Sequence, residues 1–208
     1  MKIKICGITK LEDAQLCVNL GADAIGFIFY PKSKRYILPE FAKEISISLP
    51  IFVHKIGVFV NEKIDEVNKI ANLVKLTAVQ LHGNESQSYI SKINYPVIKS
   101  FGVDADFDFS ILSNFSNCGI ILDVKDIVNF GGTGKSFNWD LIPKEIRKKV
   151  IIAGGVSSNN INEIYNQINP YGVDISSSVE ILPGIKDKIK LIELFNTINK
   201  TKQNKDEN

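Results

Sequence analysis

One alternation constrains this chain more than any other feature. Eight short aliphatic runs of strand character are each followed by a segment with helically spaced or loop-like residues, at intervals of roughly 25 residues. In the first run Ile3 and Ile5 alternate with Lys4 and Cys6, so one face is aliphatic and the other carries an ammonium and a thiol. Thr9 and Glu12 have the spacing of a capping box, which predicts a helix from there to Gly21. Ala24 to Phe29 is almost continuously apolar, as in a parallel strand buried on both faces. A polar loop follows from Tyr30 to Tyr36, then a helix opened by Pro39 and closed by Pro50.

The pattern recurs to the end. Further strands are expected at Lys55–Val60, Thr77–Leu81, Pro96–Ser100, Gly119–Asp123, Val150–Ala153 and Gly172–Ile175. Helices are expected on the stripe Ile64, Val67, Ala71, Val74, over Glu85–Ile93, over Asp104–Phe115 despite poor spacing, up to Lys149, on the stripe Ile161, Ile164, Tyr165, Ile168, and over Lys186–Asn199. Residues 200–208 are polar and expected to fray. Eight such units in 208 residues predict an α/β fold, a single-domain (β/α)8 TIM barrel over residues 1–199. An open doubly wound sheet alternates in the same way, but eight similar units without a long insertion are unusual for it.

Composition narrows the partners. With 25 basic against 23 acidic residues, a net charge of +2 gives no electrostatic footprint for nucleic acid or an anionic membrane. No apolar run approaches the ~20 residues of a membrane span, and the first residues lack a signal-peptide core, so a cytoplasmic location is expected. Cys6, Cys17 and Cys118 form no CxxC pair and have no zinc-like histidine spacing, so neither a disulfide nor a metal is expected.

A barrel keeps its chemistry at the carboxyl ends of its strands. Those ends carry Cys6, a loop with Lys32, Ser33, Lys34 and Arg35, then Asn61, His82, Asp123, Gly154-Gly155 and Ser176-Ser177-Ser178. The glycine pair after strand seven and the serines after strand eight stand where many barrels bind phosphate through backbone N–H groups; the plainer alternative is two ordinary turns. Asp123 ends an apolar strand, where a carboxylate is costly unless paired or used, and capping the next loop is its alternative. Cys6 is either a reactive thiol or a small buried hydrophobe, and Lys4, about 6.6 Å below it on the same strand face, is placed to favour a thiolate. His82 is a candidate ligand contact, whereas His54 falls at the barrel bottom and Trp139 and Phe137 read as packing residues. Gly131 to Ser136 ends in GKS, but Asn129 stands where a nucleotide P-loop needs glycine, so this stretch reads as a lid with glycine hinges.

Taken together, KICGIT, GADAIGFIFYPKSKR, GVFVN, QLHGNE, the Leu122-Asp123 pair, GGTGKSFNW, AGGV, VDISSSVE and PGIKD make the chain resemble the phosphoribosylanthranilate isomerases of tryptophan biosynthesis from Lys4 to Asp187. The resemblance implies an Amadori rearrangement of N-(5-phosphoribosyl)anthranilate without cofactor or metal, on a small-molecule substrate, by a monomer or homodimer. It implies Asp123 as the general acid at the furanose oxygen and Cys6 as the general base at C2. Arg35 would meet the anthranilate carboxylate, His82 and Asp174 would touch substrate, and Gly154, Gly155, Ser176, Ser177 and Ser178 would hold phosphate. The family usually has glycine where this chain has Ser178; if that position needs positive φ, serine strains the loop. Two alternatives stand beside this reading. One is another phosphosugar barrel, whose paired aspartates, or lysine with glutamates, do not fit Cys6 with Asp123. The other is a non-catalytic phosphate-binding barrel.

Overall fold

The structure, a computed structural model, describes residues 1–124 and 138–206. The aliphatic runs become parallel strands that close into a barrel in chain order: β1 (Lys2–Cys6), β2 (Ala24–Ile28), β3 (His54–Phe59), β4 (Ala78–Leu81), β5 (Val97–Val103), β6 (Gly119–Val124), β7 (Val150–Ile152) and β8 (Gly172–Ile175). Closure comes from β8 returning to β1, with Lys4 in register with Asp174 on one side and with Ala24 on the other.

Strand pleating divides the side chains into two sets. Outward-facing Ile3, Ile5, Ile25, Phe27, Val79, Leu81, Leu122, Ile152, Val173 and Ile175 are buried under the outer layer in one continuous hydrophobic cluster. That burial stabilises each such residue by about 1.5–3 kcal/mol. Within the barrel, Ala24, Ile56 and Ala78, with Ile98 against them, form a separate small apolar cluster. Gln80, Asp123 and Asp174 line the cleft at the carboxyl ends of the strands.

The outer layer is regular in the first half. It holds α1 (Leu11–Leu20), α2 (Pro39–Ile47) and α3 (Ile64–Val74), with Gly21 at φ +107° as the left-handed stop after α1 and Pro39 in the first turn of α2. The expected capping box is not formed. Lys10 occupies the cap position without a side-chain bond, and the Thr9 hydroxyl donates instead to the carbonyl of Gly184. A tertiary contact from the far end of the chain takes the hydroxyl that the local motif would use.

In the second half the helices shrink to α4 (Gln87–Ile90), a 3-10 segment over Phe109–Phe115, a 3-10 turn at Trp139–Leu141 and α5 (Lys144–Arg147). Edge-on contacts of Phe101 with Phe107 and Phe115, and of Phe107 with Phe109, take the place of a helix stripe after β5. The stripe at Ile161 forms α6 (Ile161–Glu163) and widens into a π turn over Ile164–Ile168. An unanticipated antiparallel hairpin, β9 (Glu180–Leu182) and β10 (Ile185–Lys186), precedes α7 (Lys188–Asp206). Helix α7 continues through residues expected to fray, because Thr201 is buried and donates to the Thr197 carbonyl at 2.8 Å and to Asn162. His54 opens β3 at the barrel bottom, and Trp139 is buried, both as expected. The lid reading of Gly131–Ser136, and Phe137, fall outside the described residues.

Candidate active site

Because every strand runs in the same direction, the carboxyl ends of β1 to β8 converge on one rim. Cys6, Arg35, His82, Asp123, Gly154, Gly155, Asp174, Ser176, Ser177 and Ser178 all line a single cleft there, together with Tyr30, Ser33 and Gln80. The site residues implied by the resemblance are thus brought to one place, whereas Lys32, Lys34 and Asn61 do not line the cleft.

Cys6 is buried at the top of β1, in register with Gly26 on β2. A Cβ at Gly26 would lie 2.7 Å from Cys6 Sγ and 3.2 Å from Lys4 Cε, so the missing side chain makes the space that the thiol and the lysine stem occupy. Lys4 does share the face of Cys6, but its Nζ is 2.7 Å from Asp174 Oδ2, with both side chains almost fully buried. Burial pushes the Cys6 thiol above its ordinary value, and the opposing pull of Lys4 is the smaller effect. The expected thiolate is therefore not the resting state. Burial works against the charge on Lys4 too, but the pairing with Asp174 keeps the ammonium charged.

Asp123, at the top of β6, accepts from the backbone N–H of Val124 at 2.8 Å through Oδ1. Its Oδ2 is 3.7 Å from His82 Nε2. Gly154 and Gly155 have φ of +76° and +68°, and a Cβ at Gly154 would lie 2.7 Å from Asp123 Oδ1. Glycine at 154 is required both by its backbone and by the carboxylate beside it. Burial, reinforced by Lys99 and Lys4 against the pull of Asp174 and Glu85, lowers His82 to about 4, so its ring is neutral at neutral pH. Gln80, on the same face of β4, lies 3.3 Å from His82 Nδ1 and donates to Ser100 Oγ at 3.1 Å.

Arg35 is not loose in its loop. Its Nε lies 2.9 and 3.0 Å from the two carboxylate oxygens of Glu180, and Nη2 is 2.7 Å from Oε2. The same carboxylate takes Lys186 Nζ at 2.9 Å, and that ammonium also donates to the Cys6 carbonyl at 2.6 Å and the Ser176 carbonyl at 3.2 Å. Burial pushes the Glu180 carboxyl up, but Arg35 and Lys186 outweigh it and hold it below the ordinary range. Glu180, Lys186, Gln80 and Gly26 were not singled out in the sequence. The only signal for the first two was charge set among apolar residues just past a strand end.

The serine loop answers one question that the sequence raises. The Ser176 hydroxyl donates to the Cys6 carbonyl at 3.2 Å, and the Ser178 hydroxyl to the Val156 carbonyl at 2.5 Å. These two hydroxyls already serve the backbone, and all three serines line the cleft. Ser178 is not among the positive-φ residues, so serine at that position carries no left-handed strain. Asn160 braces the neighbouring glycine loop by donating to the Gly155 carbonyl at 2.8 Å and accepting from Ser157 N–H at 2.9 Å. Among the described residues no group of three or more His, Cys, Asp or Glu side chains is placed to hold a metal ion.

The sequence profile of the family described as N-(5'-phosphoribosyl)anthranilate (PRA) isomerase matches residues 3–197. An N-(5'-phosphoribosyl)anthranilate isomerase of Geotalea uraniireducens is 45% identical over 196 residues, 93% of this chain and 96% of that protein. The crystal structure of phosphoribosyl anthranilate isomerase from Thermotoga maritima is similar at a TM-score of 0.88 and 41% identity, covering 96% of this chain and 99% of that one. A solved structure of a phosphoribosyl anthranilate isomerase in complex with reduced 1-(o-carboxyphenylamino)-1-deoxyribulose 5-phosphate is similar at a TM-score of 0.85 and 40% identity, with 96% and 99% coverage. Another Thermotoga maritima structure, at a TM-score of 0.84, 38% identity and 96% and 98% coverage, is described as monomers generated from the dimeric enzyme.

Proposed function

The chain belongs to the family of N-(5'-phosphoribosyl)anthranilate isomerases, and from that premise we propose that Cys6 and Asp123 divide between them the proton transfers of the reaction. The protein is an isomerase of tryptophan biosynthesis, converting N-(5'-phosphoribosyl)anthranilate into the corresponding 1-amino-1-deoxyribulose 5-phosphate. The observation that carries the assignment is the convergence of a buried thiol and a strand-end carboxylate on one cleft. The substrate needs a proton delivered to one atom and a proton removed from another, which two separate groups accomplish.

In this reading Asp123 protonates the furanose oxygen. The C1–O bond breaks as the anilino nitrogen's lone pair forms C=N. Cys6, as thiolate, then takes the C2 proton, and the C2–H electrons form the C1=C2 bond of an enolamine while nitrogen recovers its pair. Tautomerisation moves the enol proton to C1 and leaves the ketone. The raised thiol means that the thiolate is formed from a protonated resting state, which makes the second step the more sensitive to pH.

Glu180 engages the Nε and Nη2 edge of Arg35, so the Nη1 side remains for the anthranilate carboxylate. Asp174 and His82 would touch the ribulose chain; Asp174 Oδ1 is buried without a hydrogen-bond partner among the described residues, as an oxygen awaiting a substrate hydroxyl would be. The N–H groups of Gly154, Gly155, Ser177 and Ser178, with the Ser177 hydroxyl, would hold the phosphate, while Ser176 shapes the loop. No cofactor or metal enters this scheme.

A homodimer in the cytoplasm belongs to the same proposal. Ile51 and Phe52 are 83% and 94% exposed beside the apolar mouth at the barrel bottom, which Ala24, Ile56, Ala78 and Ile98 line, and a second copy would cover them. Among the described residues no helix is long and apolar enough to cross a membrane.

Cys6→Ala and Asp123→Asn should each lower kcat by about 10²- to 10⁴-fold with KM little changed. Steady-state kinetics would show this, and undiminished turnover in either variant would refute the role given to it. Failure of the chain to restore growth of a tryptophan-requiring strain lacking this isomerase would favour the non-catalytic barrel.

A further inference from the structure

Gln80 is almost completely buried on β4, two residues before His82, and the two side chains share one face of the strand. Its amide nitrogen has two acceptors, Ser100 Oγ at 3.1 Å and His82 Nδ1 at 3.3 Å. Its Oε1 is buried without a hydrogen-bond partner among the described residues. Turning the amide over would instead bury two N–H donors without partners, the costlier of the two arrangements, since an under-satisfied carbonyl is better tolerated than an orphaned N–H. The observed orientation fixes more than the glutamine. An imidazole that accepts at Nδ1 carries its proton at Nε2, and Nε2 is the nitrogen 3.7 Å from Asp123 Oδ2.

We propose that Gln80, anchored by Ser100, is a positioning residue that holds His82 as the Nε2–H tautomer, so that the ring offers Asp123 a proton rather than a lone pair. The inference rests on the reading of Asp123 as the general acid and deepens it. When Asp123 gives its proton to the ring oxygen, it becomes a carboxylate in a confined site, and a neutral N–H donor facing it stabilises that charge as it forms. The opposite tautomer would set a lone pair against the new carboxylate. An imidazolium would hold Asp123 ionised from the start and remove the acid. Burial of the ring, with Lys99 and Lys4 on one side of the balance and Asp174 and Glu85 on the other, keeps it neutral.

The sequence contains two histidines, and His54, the other, is exposed at the barrel bottom, so ring resonances are readily assigned with a His54→Gln variant. In the full-length, ligand-free protein labelled with ¹⁵N at the imidazoles, His82 should show an unprotonated Nδ1 and a protonated Nε2 at neutral pH. Gln80→Met, close in shape, should abolish that single-tautomer signature, and Gln80→Glu should move the proton to Nδ1. Ser100→Ala, which frees the amide without touching the ring, should weaken the preference. Gln80→Met should lower kcat about tenfold or more with KM little changed. A wild-type ring protonated at Nδ1, an unchanged tautomer in Gln80→Met, or a changed tautomer with undiminished kcat would each overturn the proposal. Full activity of Asp123→Asn would refute the role of Asp123 while leaving the tautomer measurement intact, so the two failures are separable.

Discussion

At the scale of single residues, the site is governed by what burial does to charge. Cys6 sits deep enough that desolvation outweighs the ammonium two residues away, and Asp174 claims that ammonium by a contact of 2.7 Å. Lys4 nevertheless lowers the thiol relative to what burial alone would give. Removing the pair together, as Lys4→Met with Asp174→Asn, avoids stranding a buried carboxylate, and because the pull of Lys4 on the thiol exceeds the opposing push of Asp174, the rise of kcat that follows thiolate formation should move to higher pH; an unmoved rise would deny Lys4 any net part in ionising Cys6. The acid side belongs to His82. Its folded value of about 4 lies below the ordinary ~6.5, so the stability it contributes is complete above the ordinary value and is lost as pH falls from there through 4. Ser178 yields a prediction of the opposite kind from the one its sequence context suggests. Since its φ is not left-handed and its hydroxyl bonds the Val156 carbonyl, Ser178→Gly should destabilise by about 1 kcal/mol, lowering Tm by roughly 2–4 °C, rather than relieve strain.

At the scale of elements, two buried lysine–glutamate pairs fasten the loops that carry the site. Lys99 on β5 holds Glu85 at 3.0 Å and the carbonyls of Leu81 and Gly83, while Glu85 accepts from the N–H groups of Asn61 and Gly83; this ties the tops of β3, β4 and β5. Lys186 and Glu180 perform the same task for β1, β8 and the Arg35 loop. Breaking the Lys99–Glu85 pair from one side leaves a buried charge, so Lys99→Met should cost about 3–5 kcal/mol in chemical denaturation, whereas Lys186→Met leaves Glu180 held by Arg35 and should cost less while impairing turnover by loosening the Cys6 carbonyl. Glu180, held below its ordinary range, adds stability that is present above that range and lost on acidification below it. Sequence periodicity located the strands because aliphatic alternation is a local property. It missed the β9–β10 hairpin and overstated the helices after β4 and β5, where aromatic edge contacts and charged clamps from distant segments decide the path. The candidate groups at the strand ends were legible; Glu180, Lys186 and Gln80 were not, because their roles come from partners far along the chain or across the barrel.

At the scale of the whole molecule, the barrel separates its functions by height. Apolar Ala24, Ile56, Ala78 and Ile98 occupy the lower interior, and the polar groups of β1, β4, β6 and β8 lie above them. The cleft at the upper rim and the lower face proposed for association are therefore separate surfaces. Phe52→Ser should convert a dimer to a monomer in light scattering while kcat is preserved, and an unchanged mass would remove that face from the proposal. The ring closure of β8 onto β1 has a temporal consequence as well. The groups nearest the thiol, Asp174 through Lys4, Ser176 and Lys186 on the Cys6 carbonyl, stand 170 to 180 residues away from their partners in the chain. During synthesis Lys4 and Cys6 emerge 170 residues or more ahead of these partners. A growing or truncated chain that ends before β8 holds the Cys6 thiol and the Asp123 carboxylate yet lacks the groups that bond Lys4 and the Cys6 carbonyl, so on the proposed assignment activity begins only when the circle is closed.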